Sequence, residues 1–108
     1  MCGIAGAFSK RPISESKVRK TISNLQQRGP DSNGFLKRRT KNGSYITLIH
    51  TRLSILDLDK RSSQPMSSEK SDLIFNGEIY NYLELKKYLK DINLITSSDT
   101  EILLNLLE

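Results

Sequence analysis

Four short stretches hold residue types able to act together. Cys2 is the only cysteine of the chain and directly follows Met1. Methionine is expected to be trimmed before so small a residue. Trimming leaves a thiol and an α-amine on one residue, a nucleophile beside its own base. α-Amines titrate at about 7.7–8.0, so a minor fraction is unprotonated at neutral pH. In FNGEIYNY (75–82), the Asn76 side-chain amide and the Gly77 N–H make two donors in one loop before a helix. Two donors aimed at one point are what a developing oxyanion needs. In HTRLSI (50–55), Arg52 offers a planar fork that grips a carboxylate by two hydrogen bonds. In SDTE (98–101), Asp99 can hold an ammonium.

Each of these has a plainer reading. A free cysteine is often a small buried hydrophobe. Asn-Gly is also an ordinary turn. Arg52 can be a paired structural arginine, and Asp99 can simply complement a helix dipole. His50, the only histidine, reads as structural, and one histidine with one cysteine falls short of a normal metal-ligand set. Arg28 and Asp31 of RGPD read as ties that hold a loop over the site.

The elements that must position these residues follow from pattern. CGIAGAF reads as a short buried strand whose glycines admit close backbone approach. Residues 14–27 read as a helix, with Val18, Ile22 and Leu25 at i, i+4, i+7. RGPDSNG (28–34) is turn chemistry that ends it. Strands are expected at 34–40 and 44–50 around a Lys-Asn-Gly-Ser hairpin turn. RLSILDL (52–58) alternates apolar with polar, and a polar loop follows. DLIF (72–75) reads as a strand stopped by Asn-Gly. Residues 79–91 read as a helix with Leu85, Tyr88, Leu89 and Ile92 on one face. Ser98 and Glu101 form a capping box before a last apolar helix.

The chain has 108 residues and a formal net charge of +5. That size supports one domain with a modest core. The basic residues are scattered, with few aromatics between them to stack on bases, so a solvated surface fits better than a nucleic-acid interface. A lone cysteine excludes an internal disulfide framework and fits a reducing compartment. No apolar run reaches the ~20 residues of a membrane helix. No signal peptide is visible. The expectation is a cytoplasmic protein without a membrane or nucleic-acid partner.

Taken together, MCGIAGAF, RGPDSNG, HTRLSILDL, QPM, FNGEIYNY and SDTEILL occur in an order and spacing that resembles the class II glutamine amidotransferase (glutaminase) domain of asparagine synthetases. The resemblance covers residues 2–107. It implies an α+β fold of the N-terminal nucleophile (Ntn) hydrolase type, with two antiparallel sheets stacked between helix layers. It implies hydrolysis of L-glutamine to glutamate and ammonia through a cysteine thioester, for asparagine synthesis. Cys2 would be the nucleophile. Asn76 and Gly77 would form the oxyanion hole. Arg52 would clasp the glutamine α-carboxylate and Asp99 its α-ammonium, with backbone contacts from Leu53 and Glu78. No metal or other cofactor is implied for this chain. ATP and magnesium would belong to a synthetase domain that the chain lacks. Relatives that amidate sugars or antibiotic precursors share the glutaminase motifs, so the acceptor stays open. The loop before Gln64-Pro65-Met66 departs from the pattern, reading Arg-Ser-Ser where a glycine is common.

The domain so implied is longer than residues 1–108, so the second part of its sheet sandwich is expected to be missing. Three readings follow. The chain is a small glutaminase subunit completed by a separate synthetase partner, an inactive truncated fragment, or a basic binding module. The second predicts apolar faces without cover, including Ile102, Leu103, Leu104, Leu106 and Leu107 of the last helix. It also predicts little or no ammonia release by the chain alone.

Overall fold

Three strands make one antiparallel sheet in the order β1-β3-β2: β1 is Gly3–Ser9, β2 is Ser32–Arg39 and β3 is Tyr45–Arg52. The computed structural model describes residues 2–54 and 60–108. Helix α1, Glu15–Leu25, covers one face of the sheet. It starts where the Ser14 hydroxyl accepts the Lys17 N–H at 3.3 Å, which satisfies one of the free amides of a helix start. Its Val18 and Ile22 close over Ile49 of β3, with Ala5, Ile13, Leu25 and Phe35 packed around them. Strand alternation then turns Ile4, Phe8, His50 and Arg52 to the other face.

The second half is built from small pieces. A 3-10 turn at Lys60–Ser62 precedes a two-residue pair, β4 Met66–Ser67 with β5 Asp72–Leu73. The Gln64–Pro65 peptide between them and the turn is cis. Helix α2, Tyr82–Leu85, passes into a 3-10 turn at Lys86–Leu89. Helix α3, Asp99–Leu107, packs on β4, α2 and that turn. No helix among the described residues is long and apolar enough to cross a membrane. An α+β architecture with antiparallel sheets is thus the observed class.

Several expectations need correction. Strand β2 begins at Ser32, inside the stretch read as a turn, because β3 extends to Arg52 and supplies a partner for residues 32–34. The strand expected over 72–75 stops at Leu73, since the Phe75 N–H is taken by the Gln64 side chain. The helix expected over 79–91 is a single α turn followed by a 3-10 turn. Of its supposed apolar face only Leu89 is buried, and Tyr88 is 80% exposed. A short helix needs a buried face to persist. The capping box does not close. Ser98 Oγ accepts the Thr100 N–H, but the Glu101 carboxylate reaches past Ser98 to the Ile95 and Thr96 amides, both at 2.7 Å. Residues 55–58 of RLSILDL lie outside the described residues.

The uncovered faces are real in part. Phe8 is 70% exposed and Leu107 68% exposed, but Ile102 and Leu104 of α3 are fully packed. Layer contacts within the chain therefore cover one stripe of α3 and leave the outer end of the sheet's second face open.

One glycine controls the join between α1 and β3. A Cβ on Gly29 would lie 2.3 Å from the Thr51 carbonyl oxygen and 2.5 Å from the Arg52 nitrogen. These are backbone atoms inside a strand ladder and cannot swing away. We expect Gly29→Ala to destabilise the chain by about 1–3 kcal/mol or more, as overpacking does. Gly6→Ala, whose Cβ meets nothing nearer than 3.7 Å, should stay within about 0.5 kcal/mol. Denaturant unfolding of the two variants checks this.

Candidate active site

A cavity of about 360 Å³ opens where the sheet's second face meets the β5–α3 region. Its lining includes Cys2, Arg52, Leu53, Asn76, Gly77, Glu78 and Asp99. The seven residues singled out in the sequence for glutamine chemistry therefore share one cavity. They come from the start of β1, the end of β3, the loop after β5 and the first turn of α3.

Cys2 sits just before β1, and its Sγ lies against the backbone that leaves β3. It accepts the Leu53 N–H at 3.3 Å and is 3.7 Å from the Leu53 carbonyl. The residues read as loop ties surround this contact. Arg28 Nε donates to the Cys2 carbonyl at 3.2 Å. The Asp31 N–H donates to the Arg52 carbonyl at 2.9 Å, and an Asp31 carboxylate oxygen accepts the Ser54 N–H at 2.7 Å. Both neighbours of Leu53 are thus pinned, so the thiol faces a fixed backbone. Arg52 itself is buried at 8% exposure, which places a guanidinium where an anion would meet little competing water.

The opposite side is the 75–79 loop. It is fastened to α3 at both ends. Asp99 Oδ2 accepts the Ile79 N–H at 2.9 Å. The Gln64 side chain accepts the Phe75 N–H at 2.5 Å and donates to Thr100 Oγ1 at 3.3 Å. Asn76 and Gly77 lie between these ties, on the cavity. Asp99 is buried at the positive end of a nine-residue helix, where a carboxylate is stabilised. A carboxylate, a guanidinium, a thiol and an amide in one cavity can bind a zwitterionic amino acid and present a nucleophile to its side chain.

The sequence reading missed Gln64 and Thr100. Both line the cavity, and their buried hydrogen bond joins a loop to a helix. The QPM motif was the available signal, but a glutamine before a proline carries no obvious chemistry by itself.

Comparison with known proteins agrees with this geometry. The glutamine amidotransferase domain family matches residues 1–108, and the chain belongs to it. It is 38% identical, over 96% of its length, to asparagine synthetase [glutamine-hydrolyzing] 1 of Bacillus subtilis (strain 168), covering 17% of that protein. It is 40% identical, over 98% of its length, to putative asparagine synthetase [glutamine-hydrolyzing] 2 of Methanocaldococcus jannaschii, covering 24% of that protein. It is also 31% identical, over 98% of its length, to amidase chry2 of Gibberella zeae, covering 18% of that protein. The chain thus spans about a fifth of the length of these relatives. No solved structure matches it significantly.

His50 lies on the cavity face of β3, fully buried, and neither ring nitrogen has a hydrogen-bond partner among the described residues. Burial pushes its pKa below the ordinary 6.5, the Phe75 backbone opposes this, and the Arg52 charge adds to the lowering. The geometry contains no bond to Phe75, so burial dominates. The folded chain therefore takes up this proton less readily than the unfolded chain. Stability should fall as pH drops below about 6.5. We expect His50→Gln to flatten that part of the stability curve while acid loss at carboxylate pH remains. Unfolding midpoints between about pH 7 and pH 5 check it.

Proposed function

We propose that the chain is the nucleophile-bearing part of a glutaminase, with an Ntn-hydrolase type of fold, that supplies ammonia to asparagine synthesis. The observation that carries this reading is the convergence of Cys2, Arg52, Asn76 and Asp99 on one cavity. Arg52 grips the α-carboxylate of L-glutamine and Asp99 takes its α-ammonium, with the Leu53 and Glu78 backbone beside them. The side-chain amide then faces Cys2. Once Met1 is removed, the Cys2 amine accepts the thiol proton and the sulfur bonds to the amide carbon. The Asn76 amide and the Gly77 N–H stabilise the oxyanion. The C–N bond breaks, the amine returns the proton to the leaving nitrogen, and ammonia departs. Water attacks the resulting thioester, which releases glutamate and restores the thiol.

This chemistry asks for no cofactor in the chain. ATP and magnesium would serve a synthetase domain or subunit, consistent with relatives named for asparagine synthesis. A cytoplasmic setting suits both the free thiol and the substrate. The open sheet face bearing Phe8 is consistent with a stacked-sheet fold in which further polypeptide covers it.

A diazoketone analogue of glutamine should label Cys2 only in chain that has lost Met1. Equal labelling of the Met1-retaining chain would overturn the amine as base. Arg52→Lys should raise the analogue concentration for half-maximal labelling by about tenfold or more, because a point charge replaces a two-toothed grip. Mass spectrometry of the labelled peptide reads both outcomes.

A further inference from the structure

Gln64 has no role in the glutaminase chemistry above, yet its side chain links two parts of the cavity. It is buried at 8% exposure. Its Oε1 accepts the N–H of Phe75, the residue before Asn76. Its Nε2 donates to Oγ1 of Thr100, the residue after Asp99, in a buried bond of 3.3 Å. Its own backbone is seated on the sheet. A Cβ added to Gly34, the β2 partner of His50, would lie 2.5 Å from the Gln64 carbonyl oxygen. One residue therefore touches the sheet bearing Arg52, the loop bearing Asn76 and the helix bearing Asp99.

We propose that Gln64 is a positioning residue, which sets the spacing between the Asn76–Gly77 donors and the Asp99 carboxylate and so tunes the cavity to an α-amino acid amide. The proposal rests on the reading of this cavity as a glutamine site. A terminal amide suits the task because it carries an acceptor and a donor in one rigid plane. Methionine has the reach and neither bond. Asp99–Ile79 is a second tie between loop and helix, so losing Gln64 should loosen the Asn76 end of the loop without releasing all of it. Donors must be held to about half an ångström to be effective, and a misplacement of about 1 Å can cost 10²-fold in rate.

The test uses the chain freed of Met1, with Gln64→Met and Thr100→Val. Two probes are compared: the diazoketone analogue of glutamine and its counterpart lacking the α-amine. In the unmodified chain the α-amine should favour labelling of Cys2. Both variants should reduce that preference by about tenfold or more, whereas a merely structural role would slow both probes alike. Amide exchange gives a readout independent of chemistry. Gln64→Met should speed exchange at the Phe75 N–H and leave the β3 amides protected. Combining the two substitutions should add little to either alone, since they break one link.

The outcomes separate cleanly. If the unmodified chain shows no preference for the α-amine analogue, the glutamine reading of the cavity fails and the positioning role falls with it. If it shows the preference and Gln64→Met and Thr100→Val keep it, the proposal alone is overturned. Unchanged exchange at Phe75 in Gln64→Met also overturns it. Lost preference together with faster Phe75 exchange upholds it.

Discussion

The close contact of the 28–31 segment with the end of β3 is the constraint from which the cavity is assembled. Gly29 lies against the Thr51 and Arg52 backbone with no room for a side chain. The same strand end accepts the Asp31 N–H, and Thr51 Oγ1 donates to the Leu25 carbonyl at the end of α1 at 3.0 Å. Helix, turn and strand are thereby locked at the point where the chain passes on to Leu53. Cys2 rests on that residue. A thiol before the first strand would otherwise share the disorder of a chain terminus. Here it is held by Leu53, whose neighbours Arg52 and Ser54 are both bonded to Asp31.

The two sides of the cavity have different physical characters. The Cys2–Arg52–Leu53 side belongs to a continuous three-stranded sheet backed by the apolar face of helix α1, and its geometry follows from ladder bonds and packing. The 75–79 side has little regular structure. It is held by side-chain bonds to loop amides, from Gln64 and Asp99. The same device recurs nearby, where the Glu101 carboxylate takes the Ile95 and Thr96 amides. A loop built this way keeps its N–H groups satisfied at the ends and leaves the middle, Asn76 and Gly77, on the cavity wall. Its accuracy depends on single buried side chains rather than on a ladder.

Further out, an exposed ion pair fastens the halves together. Arg38 of β2 holds Asp72 of β5 by two bonds at 3.0 and 3.1 Å, and this pairing keeps the Asp72 carboxyl below its usual range. Asp72 is also bonded to Ser67, so the small β4–β5 pair is hooked to the main sheet. Such exposed pairs contribute little stability alone. Their use here is to fix orientation, while burial of Val18, Ile22, Ile49, Ile102 and Leu104 supplies the cohesion.

The sequence by itself singled out residues that line the cavity and most elements of the first half of the fold. Cys2 behind Met1, the fork at Arg52, Asn76-Gly77 and Asp99 were legible because their types and spacing carry meaning without coordinates. The α1 helix was legible from its periodic pattern and the 41–44 hairpin from its turn signal, while β1 was legible as a strand but not as the buried one expected, since only Gly3 of it is buried. Tertiary structure decided the rest. Residues 79–91 have helical spacing, but only Leu89 finds a buried place, so the long helix does not form. Ile74 and Phe75 have strand residue types, but the Phe75 amide is claimed by a side chain eleven residues away. Glu101 is spaced for a capping box, yet the Ile95 and Thr96 amides beyond Ser98 take its carboxylate. Gln64 was invisible as a cavity residue for the same reason. Its partners at 75 and 100 are distant in sequence, and a hydrogen bond between distant residues leaves no period or motif to read.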